Sequence, residues 1–245
     1  MTQEDLVQYL QPTSIIDSDH PSIRDLAKQI AGNIESTAEK AIGLYNWVRD
    51  EIIYDPYSPF HKTEHYRASE VLKRRRGFCV PKASLLCALA RAQSIPCRLG
   101  FADVRNHLAT KRFLERLGSD LFVYHGYVEF FLNGRWIKAS PTFHRELCVK
   151  FGVPPLEFDG VHDAVFQAYA PPLDEVEMAS KGGLLAGESE ITTRTNREPR
   201  RFMEYVAFHG TRADVPIDEI LSAWEKAYGK ERVNKWIEET EQHSK

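Results

Sequence analysis

Gly77-Phe78-Cys79-Val80-Pro81-Lys82-Ala83-Ser84-Leu85-Leu86 places a cysteine where the chain passes from loop into helix. Leu85, Leu86, Leu89 and Ala90 fall at helical spacing and give the run a buried face. Pro81 suits a first helical turn, where a missing N–H costs no intrahelical bond. A thiol at this point faces unpaired N–H groups and the positive end of the helix dipole. That setting lowers a thiol pKa and favours the thiolate, which is the nucleophile. Gly77 permits a tight turn and removes a side chain beside the sulfur. The plainer reading is a small buried cysteine at the start of a core helix, since cysteine is among the most buried residue types.

Working outward, the chain of 245 residues is 42% hydrophobic and 27% charged, which is ordinary for a globular protein. A net charge of −3 offers no global basicity for nucleic acid. No apolar run approaches the length of a membrane span, and the acidic start Met1-Thr2-Gln3-Glu4-Asp5 lacks a signal-peptide pattern. Four cysteines (Cys79, Cys87, Cys97, Cys148) without C-x-x-C pairing argue against a disulfide framework and a structural zinc site. The reading is a cytoplasmic protein with reduced thiols, needing no metal or organic cofactor.

Upstream of the cysteine, Pro21–Ile30 reads as a helix, and Ser36-Thr37-Ala38-Glu39 is a capping box opening a second. Pro56 to Tyr66 reads as a loop. It contains His61-Lys62-Thr63-Glu64-His65, which fits a zinc-protease pattern, but that pattern needs a long helix and Pro59 stands just upstream. Lys73-Arg74-Arg75-Arg76 reads as a solvated face or as a charge cluster near the thiol. Downstream, Cys97–Ala102 alternates like a strand. Two apolar strands flank Asn133-Gly134, a strong hairpin signal. The two-residue loop sets Leu132 opposite Arg135, Phe131 opposite Trp136 and the charged pair Glu129 opposite Lys138. Continuing that register places His125, Tyr127, Ser140 and Thr142 on one face, with Ser140 diagonal to His125 and too far for a direct bond. Pro154 to Tyr169 holds Asp159, His162 and Asp163 among bulky apolar residues. Three segments follow: a domain over 1–175, a loop or linker over 176–200, and a helical extension over 201–245 that packs back through Ile217, Ile220, Leu221, Trp224 and Tyr228.

The succession of Arg76-Gly77-Phe78-Cys79 with its apolar helix and Ile95-Pro96-Cys97-Arg98, His125-Gly126-Tyr127-Val128-Glu129, and Gly134 through Thr142 resembles the transglutaminase-like superfamily, over about Ala41 to Phe143. The resemblance implies an α+β, papain-like fold: a nucleophile helix on an antiparallel sheet or partial barrel, with extra N- and C-terminal helices. It implies a Cys-His-Asp triad, with Cys79 as nucleophile and His125 as general base. It further implies a peptide or protein amide substrate, hydrolysed or passed to an amine acceptor, with water favoured. The family Asp position holds Ser140. Three outcomes stay open: Ser140 orients His125, Asp159 or Asp163 supplies the acid, or the groove is a non-catalytic peptide-binding module.

Overall fold

Ser36 accepts a hydrogen bond from Glu39 N at 3.4 Å, and the helix it caps packs Ala41, Leu44, Tyr45 and Val48 into the core. The computed structural model describes residues 3–106, 109, 111–151, 153–165 and 203–242. In chain order the elements are α1 (Gln3–Val7), α2 (Pro21–Ala31), α3 (Thr37–Glu51), β1 (Ile53–Tyr54), α4 (Ala68–Arg74), β2 (Arg76–Gly77) and α5 (Cys79–Ala92). They continue with β3 (Cys97–Asn106), α6 (Lys111–Leu117), β4 (Leu121–Leu132), β5 (Arg135–Ala139), α7 (Arg145–Lys150), β6 (Met203–Arg212), α8 (Ile217–Tyr228) and α9 (Lys230–Gln242). The fold is α+β, with α5 packed on an antiparallel sheet of order β5-β4-β3-β6 and further helices from both ends of the chain.

Every residue of α5 from Val80 to Arg91 is buried, so this helix is the centre of the core rather than its edge. Its charged residues are bonded in place. Lys82 Nζ donates to Arg49 O at 3.0 Å and Ile52 O at 2.5 Å, capping the carbonyl end of α3, and Arg91 donates to Cys97 O, Gln11 O and Ala213 O. The β4–β5 hairpin turns on Asn133 (φ 50°) and Gly134 (φ 82°), the two left-handed residues that such a loop requires. Its register is the expected one, with Glu129 opposite Lys138. The ion partner of Glu129 is nevertheless Arg98 on its other side, at 2.7 Å, while Lys138 lies over the rings of Tyr205, Phe208 and Tyr127.

Two features depart from expectation. Residues 201–245 are not wholly helical, because Met203–Arg212 forms β6 and completes the sheet beside β3. The expected linker over 176–200 lies outside the described residues. Beyond Val128, β4 also has no β5 partner. There α8 takes the place of a strand: the Tyr228 hydroxyl accepts from Val123 N (2.8 Å) and donates to Leu121 O (2.9 Å), and Trp224 Nε1 donates to Val123 O (2.9 Å). Backbone groups that a fifth strand would satisfy are satisfied by two aromatic side chains.

Candidate active site

Cys79 is the first residue of α5, and it keeps a face open to a cleft of about 850 Å³ that His125 also lines. The start of α5 and strand β4 meet closely because Gly126 has no side chain. A Cβ there would lie 2.9 Å from Val80 Cγ2 and 3.0 Å from Val80 Cα. Gly77, expected beside the sulfur, instead meets Pro81, whose Cβ would stand 2.9 Å from an added methyl. Burial pushes the Cys79 thiol up to about 11, against hydrogen bonds from the N–H groups of Gly126, Val80 and Cys79 itself that pull it down. The expected low-pKa thiolate is therefore corrected. Neighbouring backbone N–H groups pull the other way, but loss of water outweighs them. The basic run is not a thiolate clamp either: Lys73 pairs with Glu70, Arg75 with Glu51 and Arg76 with Asp55, while Arg74 donates to His65 O.

His125 follows an irregular point in β4. Tyr124 is left-handed (φ 58°), its N–H is held by Asp103 Oδ1, and the β3–β4 register shifts between Ala102 and Val104. The imidazole is buried, which pushes it down to about 4. Its Nε2 lies 3.2 Å from Ser140 Oγ, and Ser140 Oγ lies 2.9 Å from Thr142 Oγ1. The expectation that a serine at this position falls short is overturned. β5 ends at Ala139, and Ser140 leaves the β4 register, with its N–H donated to Ala164 O at 2.8 Å. Tyr45 holds it from the other side, its hydroxyl 3.1 Å from Ser140 O and 2.9 Å from Leu156 O.

The two acids considered as substitutes are engaged elsewhere. Asp159 accepts from the N–H groups of Val161 and His162 and pairs with His162 Nδ1 at 2.7 Å, on an exposed turn. Asp163 accepts from Lys138 N at 2.9 Å, beside the bridge between Ala139 and Ala164. Asp163 thus helps to hold the segment that ends in Ser140. His61 and His65 lie around a short 3₁₀ turn, Thr63–His65, and not on a long helix. Among the described residues no group of three or more His, Cys, Asp or Glu is arranged to hold a metal, and no helix is long and apolar enough to cross a membrane.

The family model of the transglutaminase-like superfamily matches residues 24–141, from α2 through the Ser140-Pro141 step. Residues 24–141 are a transglutaminase-like domain. Cys79, His125 and Ser140 all fall within this transglutaminase-like domain, whereas β6, α8 and α9 lie beyond it. No curated protein gives a significant match. A solved structure from Cytophaga hutchinsonii, described as a candidate cysteine protease, is 26% identical, with a TM-score of 0.45. The match covers 58% of this chain and spans 43% of that one.

Sequence reasoning missed five contributors to the site. Gly126 carries no signal beyond being a glycine in a strand. Tyr45 and the Ala164 bridge act over separations that no local pattern reports. Trp224 and Tyr228 read as the apolar stripe of a packing helix, and their polar atoms give them the further role.

Proposed function

We propose that the chain is a cysteine-dependent enzyme acting on amide or peptide bonds, with Cys79 as nucleophile, His125 as general base and Ser140 as the group that orients the imidazole. One observation carries this reading. The Cys79 sulfur and the His125 ring share one cleft, and Gly126, the residue next to the base, packs directly against Val80, the residue next to the nucleophile.

Ser140 engages Nε2, so Nδ1 is the nitrogen assigned to the thiol proton. In this tautomer Nε2–H donates to Ser140 Oγ, whose hydroxyl donates on to Thr142. As Sγ attacks the carbonyl, the S–C bond forms and the proton passes to Nδ1. The N–H of Cys79 at the helix start is the oxyanion donor. The C–N bond then breaks, the imidazolium returns its proton to the leaving amine, and a thioacyl enzyme remains. Water, activated by the same imidazole, adds to the thioester and releases the acid. An amine in place of water would give transamidation. Water is the favoured acceptor because it needs no site of its own.

A second reading, a peptide-binding module without turnover, is favoured by one observation: burial leaves thiol and imidazole both neutral at rest. Acylation by an activated ester, mapped by mass spectrometry, separates the two. The enzyme reading expects one acyl group on Cys79, none in Cys79→Ser, and about 10²-fold slower turnover of amide substrates in His125→Ala. Acylation spread evenly over the four cysteines, or absent from Cys79, would leave the binding module standing.

A further inference from the structure

The cleft that holds Cys79 is lined in part by residues outside the transglutaminase-like segment, and rings make up most of its lining, beside the polar Asn106, Thr142 and Thr240. Trp224 and Tyr228 of α8 and Trp236 of α9 line it together with Phe60, Phe113 and Phe122. These rings hold one another. Phe60 lies 5.0 Å from Trp224, Tyr228 lies 5.5 Å from Trp236, and Phe113 stacks on Phe122 at 5.7 Å and 22°. The polar atoms of the two α8 rings are committed to β4, through Trp224 Nε1 to Val123 O and the Tyr228 hydroxyl to Leu121 O and Val123 N. What those side chains present to the cleft is therefore ring surface. The nearby cation is committed as well: Arg116 pairs with Glu239 at 2.8 Å and stacks over Tyr57 at 4.6 Å.

We infer that the cleft selects acyl donors carrying an aromatic side chain, so that the bond attacked follows a Phe-, Tyr- or Trp-like residue. This rests on the reading of Cys79 as nucleophile, which fixes the end of the cleft where the carbonyl must sit. A glutamine carboxamide entering the same space would give up its hydrogen bonds to water against ring faces, which is costly. A phenyl ring gains both burial and edge-to-face contacts, which are available from three helices, a loop and a strand. α8 and α9 thereby become specificity elements for a nucleophile carried on another part of the chain.

Isothermal titration of the full-length Cys79→Ser protein with N-acetyl-phenylalaninamide and N-acetyl-glutaminamide tests the inference without requiring turnover. The phenylalanine amide is expected to bind at least about tenfold more tightly. The Phe113→Ala change, at a half-buried ring, should cut that ratio by about three- to tenfold and leave the glutamine amide unaffected. Equal affinities, tighter binding of the glutamine amide, or binding of neither would overturn the inference. The acylation experiment on the native protein keeps the two claims apart. Acylation of Cys79 with no aromatic preference removes the specificity and spares the nucleophile. Aromatic preference with an inert Cys79 removes the nucleophile and leaves an aromatic-binding groove.

Discussion

At Cys79 two effects oppose one another, and their magnitudes decide the resting state of the site. The helix start and three backbone N–H groups favour the thiolate, whereas burial disfavours it and prevails, pushing the thiol up to about 11. His125 is pushed down to about 4 by burial alone. Near neutral pH the pair is thus thiol and imidazole, so the proposed mechanism moves the proton as a carbonyl accepts the sulfur's electrons. Iodoacetamide should alkylate Cys79 at pH 7 at least about tenfold more slowly than an exposed thiol of pKa about 8.5, with a rate still rising beyond pH 9. His125→Ala should leave that profile in place. A plateau reached below pH 8, followed residue by residue with mass spectrometry, would instead reveal a preformed thiolate–imidazolium pair. Ser140 extends the reasoning. Replacing the acid of a Ser-His-Asp triad costs about 10⁴ in turnover. This chain has a hydroxyl at 3.2 Å in that position, a neutral group that would stabilise an imidazolium less than a carboxylate does. Ser140→Ala is expected to lower kcat by about tenfold, the worth of one neutral hydrogen bond. Ser140→Asp should raise the His125 pKa by more than one unit, read by NMR titration. An unchanged kcat in Ser140→Ala would remove Ser140 from the site.

At the scale of elements, the junction between α5 and β4 brings Cys79 and His125 to one cleft, and Gly126 sets its spacing. An alanine methyl at 126 would press on Val80 Cα, which is backbone and cannot swing aside. Gly126→Ala should therefore cost about 1–3 kcal/mol in a urea melt and lower turnover by about 10²-fold, since displacements of about 1 Å at reacting atoms are that expensive. Retention of full activity would show that the contact is slack. The same junction explains what could be read from the chain. The α5 helix, the Asn133-Gly134 hairpin and its register were legible because each is written in residues a few positions apart. The contact between His125 and Ser140 was not, because strand register was extended past Ala139, where the chain in fact turns to bond Ala164. The aromatic substitutes for a fifth strand, Trp224 and Tyr228, lie about 100 positions from the backbone they serve. Nor does residue spacing report how far burial outweighs a helix dipole.

For the whole molecule, acid is the condition under which the buried site and the core act together. His125 lies inside the fold as a neutral ring at about 4, against 6.5 for a free imidazole. A histidine depressed on folding binds its proton more readily in the unfolded chain. Its contribution to stability is then fully present above about pH 6.5 and is lost as pH falls toward 4. His65 is pushed the same way to about 4, by burial and then by Arg74, although it is only partly covered and counts for less. The carboxylates follow at lower pH. Burial raises Asp50 and Glu157, but the hydrogen bonds of Arg49 lower them further, so their contribution fades only below the ordinary carboxylate range. By then the guanidinium of Arg49, itself almost wholly buried, loses its partners. Urea melts should show stability falling steadily from pH 6.5 to 4, with His125 accounting for at most about 3 kcal/mol of that fall. In His125→Gln, which keeps a buried polar side chain beside Ser140 and cannot titrate, that part of the slope should vanish while the steeper loss below pH 4 persists. Superimposable slopes for the two proteins would mean that the imidazole is not held neutral by burial, and the resting pair at Cys79 would then have to be redrawn as charged.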